Sequence, residues 1–430
     1  MNEILTSYNL IIEASAILIL SFFFSEIARK TNIPSVLMLI ILGIVLNYVL
    51  KAVGNTPNFF PILEVLGIVG LIMIVLEAAL ELKLKREKLI PIAKAFIIAL
   101  TGLLASTWVA ALILEYYIPG MTTVSAWLYA TPLSILSSAI IIPSVSGLAE
   151  AKKEFHIYES TFSDILGIMI FYFLTGQLEA AEQSGGLIGF GGNVLLTIVL
   201  SVVASYIIVL IFQNIKSDTK LFLLIAVLLL LYAVGKKMHL SSLIIILVFG
   251  LLIANMSLFF QGPLGKWLQL QKAKQIYDGL HIITMETAFV VRTFFFVIFG
   301  LTIELASLAS LQVVLVSLLI ILSIYVIRLV ILRIFVGKDI LPQLFIAPRG
   351  LITVLLFYAI PEEAKVIDFE AGILLFIIIG TSVLMTIAMI YDKGRTGKAM
   401  RRAEGRPVGY ERWKAPSIQD LNEAPSTEGN

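Results

Sequence analysis

Three polar side chains in residues 160–164 could bind an ion inside an otherwise apolar stretch of the chain. Ser160, Ser163 and Asp164 stand three and four residues apart, so a helix places them on one face. Asp164 follows Lys153 by eleven residues, which at about 1.5 Å per residue sets its carboxylate deep in that stretch. A carboxylate held among hydroxyls and away from water can exchange a proton, and oxygen ligands also suit a hard cation. We predict that Asp164 carries both a proton and a monovalent cation, with Ser160 and Ser163 as candidate ligands.

A second carboxylate in the same stretch, Glu159, predicts an ion pair. It precedes Asp164 by five residues, or about 140° around a helix, so the two side chains point in different directions. Its distance along the chain from Lys153 is close to the distance of Arg328 from Arg333, which puts both charges at a similar depth. We predict that Glu159 pairs with Arg328. Both a structural role for this pair and a direct role in ion handling stay open.

Further charges inside apolar stretches are candidates for supporting the site. Arg349 lies at nearly the depth of Asp164, where it would compensate the dipoles of helix ends or act as a packing charge. Glu77 is a second possible supporting residue. Glu286 and Arg292 are further charges within the apolar stretches. A structural role is the preferred interpretation for Glu77, Glu286 and Arg292.

The composition limits the class of protein and the kind of chemistry. Of the 430 residues, 59% are hydrophobic and 14% charged, and the mean hydropathy is +1.00, which excludes a soluble protein. Without cysteine and with only three histidines, the chain cannot build thiolate catalysis, an iron–sulfur site, a disulfide framework or a conventional zinc site. Carboxylates and hydroxyls must therefore carry the function.

Continuous apolar stretches predict an all-α polytopic membrane protein with thirteen spanning helices. Their ranges are 8–27, 33–50, 61–82, 89–117, 121–149, 154–178, 190–213, 219–235, 240–260, 278–304, 307–335, 339–360 and 366–391. Loops after odd-numbered helices hold far more Lys and Arg than loops after even-numbered ones, so the positive-inside rule places the N-terminus outside and the C-terminus in the cytoplasm. We predict a multi-pass domain of the cell membrane over 1–391 and a disordered cytoplasmic tail over 392–430.

The helix count also predicts an internal repeat. Predicted helices 1–6 and 8–13 form two sets of six joined by helix 7, and the second set has inverted orientation. The fifth helix of each set contains proline, at Thr131-Pro132 and Pro143 in helix 5 and at Pro348-Arg349-Gly350 in helix 12. Proline removes a backbone donor and disturbs the preceding turn. We predict that helices 5 and 12 are interrupted, cross each other and frame a transport site.

Five features, in their order along the predicted membrane domain, resemble the sodium/proton antiporters of the monovalent cation:proton antiporter superfamily. They are VLEAALELKLKREKL, ESTFSDILGIMIF, ETAFVVRTFFFVIFGLTIEL, the intramembrane Arg328 and APRGLITVLLFYAIP. In the exchanger branch the second motif reads Glu-Ser-x-x-Asn-Asp, and its Asp carries the cation and the proton. The resemblance implies that role for Asp164, a ligand role for Ser160, and the family's charge pair for Glu159 and Arg328.

Two positions depart from the family pattern. Ser163 stands where the electroneutral branch has Asn and the electrogenic branch a second Asp. Helix 5 reads Ala-Thr-Pro where the family has Thr-Asp-Pro. The ligand role of Thr131 therefore rests on its position in the helix and not on a matching motif. A single carboxylate favours one proton per cation. The assembly implied by the resemblance is a homodimer, with helices 1–3 and 8–10 as scaffold and helices 4–6 and 11–13 as a moving core.

These observations predict a secondary active antiporter for pH homeostasis that works by alternating access and is not an enzyme. Na⁺ or Li⁺ is the predicted cation, and K⁺/H⁺ exchange is the alternative. A cation channel or an intramembrane enzyme is less favoured, because one deep carboxylate on broken helices suits an occluded site. No cofactor is predicted. The expected partners are the monovalent cation, H⁺, the lipid bilayer and a second copy of the chain, with no nucleic acid.

Overall fold

The computed structural model describes residues 12, 15–27, 35–52, 60–84, 86–182, 186–215, 220–237, 242–259, 269–302, 308 and 310–404. Throughout these ranges the regular elements are helices, and no strand occurs among them. The predicted all-α fold class is confirmed.

Fifteen α-helices are numbered here in chain order over the described residues. The first seven are α1 (Ser15–Ile27), α2 (Ser35–Ala52), α3 (Phe60–Glu81), α4 (Leu89–Tyr117), α5 (Thr123–Ser134), α6 (Ser138–Ser144) and α7 (Glu150–Glu182). After α8 (Gly186–Phe212) come α9 (Lys220–Lys237), α10 (Ser242–Ala254), α11 (Met256–Phe259), α12 (Leu270–Thr302), α13 (Leu311–Phe335), α14 (Leu351–Tyr358) and α15 (Gly372–Glu404). Predicted helix 4 has the same bounds as α4, and α5 with α6 occupies predicted helix 5.

Many of these helices have the length and composition of membrane spans. Seven segments among the described residues qualify, namely Ser35–Ala52, Leu89–Tyr117, Thr123–Ser144, Glu150–Gly176, Gln271–Thr302, Leu311–Phe335 and Gly372–Asp392. Shorter apolar helices, among them α1 and parts of α8, α9 and α10, accompany them. Large apolar side chains such as Trp108 and Leu322 are exposed on the outside of the bundle, as a bilayer requires. The chain is a multi-pass membrane protein.

Helix α15 extends past residue 391, where the membrane domain was predicted to end. Residues 392–404 continue α15 without a break. This segment is rich in Lys, Arg and Ala, which favour helix, and a helix already formed by the apolar span extends easily because nucleation is the costly step. Residues 405–430 lie outside the described residues.

The helices pack in two groups. In the first helix group, α12 packs against α2, α3 and α9, and α10 packs against α3, α8 and α9. α1 joins this group through a hydrogen bond of 2.7 Å between the hydroxyls of Ser21 and Thr293 on α12. In the second helix group, α4 packs against α5, α7 and α13, while α7 also contacts α5, α6 and α14, and α13 contacts α15. The groups meet where α3 contacts α7 and α14, and where α7 contacts α8.

Two glycines fix the close approach of α2 and α12 in the first helix group. A Cβ atom on Gly43 would overlap the carbonyl oxygen of Val297, and one on Gly300 would overlap the carbonyl oxygen of Ile40. The two backbones can therefore touch only because neither glycine has a side chain, the arrangement that small residues allow between membrane helices.

Candidate ion-binding site

The predicted interruption of helix 5 is present, but not at its prolines. Pro132 lies inside α5 and Pro143 inside α6, whereas the chain leaves the helix over residues 135–137. Pro132 lacks an N–H and its ring crowds the preceding turn, so α5 is weakened just before the break. The exact position of the break depends on partners from other helices.

Backbone N–H groups released by the break are bound by distant segments. The N–H of Leu136 donates to Ser163 Oγ at 2.9 Å, and the N–H of Ser138 donates to Asp164 Oδ2 at 3.2 Å. Between them, the N–H of Ser137 donates to the carbonyl of Pro348 at 3.0 Å. Because an unpaired buried N–H is costly, these contacts hold the break in place and join it to α7.

Carbonyl groups released at the end of α5 are bound by Arg349. Its Nε donates to the carbonyl of Leu133 at 2.9 Å, and its Nη2 to the carbonyl of Ser134 at 3.1 Å. Its Nη1 reaches the carbonyl of Ala347 at 2.6 Å. The side chain is almost fully buried, with 1% of its surface exposed. The positive charge of Arg349 therefore lies at the negative, C-terminal end of the α5 dipole, which it compensates. This position corresponds to the first of the two roles predicted for Arg349.

The second interruption replaces half of predicted helix 12. Residues 339–350 form turns and extended chain, and α14 begins only at Leu351. Pro342 and Pro348 lack the N–H groups that a helix there would need. The extended chain crosses the break in helix 5 so closely that a Cβ on Gly350 would overlap Ser137 Oγ. The prediction of two interrupted, crossing elements is confirmed, but residues 339–347, predicted as the first part of helix 12, are not helical.

Asp164 lies beside the crossing with one oxygen held and the other open. Its side chain is fully buried. Oδ2 accepts the Ser138 N–H, whereas Oδ1 is buried and has no hydrogen-bond partner among the described residues. A buried carboxylate oxygen without a partner is costly, so this atom is suited to take a proton or a cation.

The predicted hydroxyl ligands differ in what they already bind. Ser160 Oγ donates to the carbonyl of His156 at 2.7 Å, which leaves its oxygen lone pairs for another partner. Thr131 Oγ1, also fully buried, donates to the carbonyl of Trp127 at 2.7 Å. Ser163 Oγ instead accepts the N–H of Leu136, so one of its lone pairs is used by the break.

Glu159 and Arg328 are brought together as expected. Arg328 Nη1 donates to Glu159 Oε1 at 2.7 Å and Nη2 to Oε2 at 2.9 Å, which is the bidentate geometry of a strong pair. Arg328 Nε donates to the carbonyl of Gln343 at 3.1 Å. The pair joins α7 to α13 and to the chain before α14. Its side chains are 1% and 9% exposed.

Sequence reasoning missed the third member of this cluster. His156 lies one turn before Glu159, and its Nδ1 is 3.3 Å from Glu159 Oε2. Its side chain is fully buried. The spacing of three residues on a helix would have indicated the contact.

A cavity of about 440 Å³ leads to the site from between the two helix groups. α1, α2, α3 and α12 line it from the first helix group and α6 from the second. It extends to Ser138, the residue whose N–H binds Asp164. Glu77 and Arg292 face each other in its wall, with Arg292 Nη2 2.8 Å from Glu77 Oε2. Both charges were predicted to lie within the membrane, but their pairing was not predicted.

Comparison with known proteins gives a family and a fold. The sequence model of the family described as "Sodium/hydrogen exchanger, transmembrane" matches residues 16–392. Among solved structures, that of the sodium proton antiporter MjNhaP1 from Methanocaldococcus jannaschii at pH 8 is similar, with a TM-score of 0.66 and 21% identity over 90% of this chain and 97% of that chain. A second structure of MjNhaP1, an electron-microscopy map, gives a TM-score of 0.61 at 21% identity, covering 91% and 96% of the two chains. No curated relative matches the chain.

Proposed function

Since the chain belongs to the sodium/hydrogen exchanger family, we propose that it is a secondary active antiporter that exchanges a monovalent cation for H⁺ at Asp164. The cation is Na⁺ or Li⁺, with K⁺ as the alternative. Membership of this family disfavours the channel and the intramembrane enzyme. The proposed setting is the cell membrane, and the proposed role is pH homeostasis.

The observation that carries this proposal is the state of the Asp164 carboxylate. One oxygen is fixed by the Ser138 N–H, and the other is buried without a hydrogen-bond partner among the described residues, close to the cavity that extends to Ser138. The protonated acid and the cation-bound carboxylate both satisfy that oxygen, whereas a bare buried carboxylate does not. A proton and a cation therefore compete for the same atom, and binding of one releases the other.

Neighbouring hydroxyls complete the proposed cation shell. Ser160 and Thr131 keep oxygen lone pairs available, and neutral oxygen ligands suit a hard monovalent ion. We assign Ser163 chiefly to positioning, because its oxygen already accepts the Leu136 N–H and so fixes the break beside Asp164. Glu159 and Arg328 form the proposed structural charge pair.

The position of the cavity between the helix groups supports alternating access. We propose that the first helix group is the scaffold, that the second is the moving core, that α8 links them, and that two copies form a homodimer. Glu81 lines the cavity two residues before Lys83, in a loop predicted to face the cytoplasm. The cavity then opens inward, and movement of the core would carry Asp164 to the outer side.

The central test replaces Asp164 by Asn. Asn cannot alternate between a protonated and an anionic state, so Asp164→Asn should abolish exchange without loss of folding. Cation-driven proton flux is measured with a pH-sensitive dye in proteoliposomes, using Na⁺, Li⁺ and K⁺ in turn. The matched control is Asp339→Asn, whose side chain is 78% exposed. Substantial exchange by the Asp164 variant would remove this residue as the carrier.

Electroneutral exchange is the second expectation, because a single carboxylate swaps one proton for one monovalent cation. A potential imposed with K⁺ and valinomycin should neither drive nor oppose net exchange of Na⁺ for H⁺. The comparison is made at the same pH gradient with and without the ionophore. A clear voltage-driven flux would show that a second group, such as Glu77, also carries charge during the cycle.

A further inference from the structure

The cavity in front of Asp164 is lined by several acidic side chains and by one arginine. Four carboxylates line it, those of Glu26, Glu77, Glu81 and Glu286. Arg292 is the only basic side chain among the described lining residues. A concentration of negative charge in a cleft raises the local concentration of cations, and it does so more strongly for divalent than for monovalent ions.

Arg292 binds the carboxylate of Glu77, which would otherwise be exposed to those ions. Its Nη2 lies 2.8 Å from Glu77 Oε2, and the two side chains are 19% and 14% exposed. Glu81 follows Glu77 by four residues on α3, so both carboxylates lie on one helix face and both line the cavity. Without Arg292, two neighbouring carboxylates would face the entering ion.

Two adjacent carboxylates suit Ca²⁺ or Mg²⁺ better than a monovalent cation. These ions prefer carboxylate oxygens and keep water in their remaining positions. Among the described residues, no group of three His, Asp or Glu side chains is placed to hold a metal ion. Without Arg292, a weakly bound and partly hydrated divalent ion would therefore lodge between Glu77 and Glu81 and block the path to Asp164.

We propose that Arg292 determines specificity in the cavity by excluding divalent cations through its pair with Glu77. This inference rests on the proposed function, because the path being protected is that of the exchanged ion. A fixed positive charge raises the energy of a divalent ion twice as much as that of a monovalent ion at the same place. Arg292 also binds one carboxylate oxygen directly, so it removes a ligand as well as adding repulsion.

The test is divalent inhibition of exchange. Proteoliposomes with wild-type protein or Arg292→Gln are assayed for Na⁺-driven proton flux at rising Ca²⁺ or Mg²⁺, with choline chloride matching the ionic strength. The half-inhibitory Ca²⁺ concentration should fall at least about tenfold in Arg292→Gln, since repulsion is lost and a ligand is freed. Arg292→Lys keeps the charge and should resemble wild type. Adding Glu81→Gln to Arg292→Gln should restore resistance.

A binding measurement separates this inference from the proposed function. Mn²⁺ is titrated into the purified full-length proteins and followed by electron paramagnetic resonance. Arg292→Gln should bind Mn²⁺, whereas wild type and the variant that also carries Glu81→Gln should not. If wild type shows no exchange, the proposed function fails, while this titration still decides the role of Arg292. Unchanged divalent inhibition together with no Mn²⁺ binding by Arg292→Gln would overturn the inference.

A second variant covers the case in which Arg292→Gln does not fold. Glu77→Gln leaves the guanidinium of Arg292 without its partner and makes the cavity less negative. The apparent KM for Na⁺ should then rise, and the increase should shrink at high ionic strength because salt screens the unpaired charge. An unchanged KM in Glu77→Gln would contradict a role for Arg292 in the ion path.

Discussion

The two Glu–Arg pairs of this protein lie in different surroundings. One pair joins helices in the buried core, and the other lies on the proposed path of the ion. Glu159 and Arg328 make two hydrogen bonds inside the second helix group, with side chains 1% and 9% exposed. Glu77 and Arg292 make one hydrogen bond in the wall of the cavity, with side chains 14% and 19% exposed. The same residue types can therefore hold helices together in one place and shape the field that an ion meets in the other.

The two pairs differ in the surroundings of the charge that remains when one partner is removed. Removing one member of the buried pair leaves a charge that water cannot reach, which is strongly unfavourable. Removing one member of the cavity pair leaves a charge that water in the cavity can approach, so less stability is lost. The comparison thus predicts large effects on stability for the first pair and smaller ones for the second.

The largest effect is expected for the buried pair. Glu159→Ala or Arg328→Ala alone should reduce the free energy of unfolding by about 3–5 kcal/mol, and the double replacement should recover part of that loss. Thermal unfolding of the purified protein measures all three variants. Arg333→Ala, an exposed position on the same helix, is the control. Strictly additive losses would show that the two residues do not act as partners.

A smaller effect on stability is expected for the cavity pair. Glu77→Gln and Arg292→Gln should each reduce the free energy of unfolding by less than either variant of the buried pair, because the cavity lets water approach the group that remains. The same unfolding measurement applies, with Arg328→Ala as the comparison for a large loss. Losses as large as those of the buried pair would mean that Glu77 and Arg292 hold α3 to α12, and the contrast between the two pairs would disappear.

Depth along a helix was enough to predict the Glu159–Arg328 contact but not the Glu77–Arg292 contact. The first pair combines matching distances from flanking basic residues with a known family arrangement. For the second, the choice of partner depends on how α3 and α12 are rotated about their axes, which is decided by the packing of the bundle. The contact of His156 with Glu159 was not predicted, although a spacing of three residues places both side chains on one face of α7.

The sequence by itself determined the helical class, the main spanning segments, the deep carboxylate and the presence of two interruptions. These features follow from local properties, namely apolar length, charge position and the missing N–H of proline. Only the tertiary structure decided that helix 5 breaks over residues 135–137. There the freed backbone groups find Ser163, Asp164, Pro348 and Arg349, which lie far away in the chain. A buried break is stable only where such partners meet it, and their meeting depends on the packing of the whole bundle.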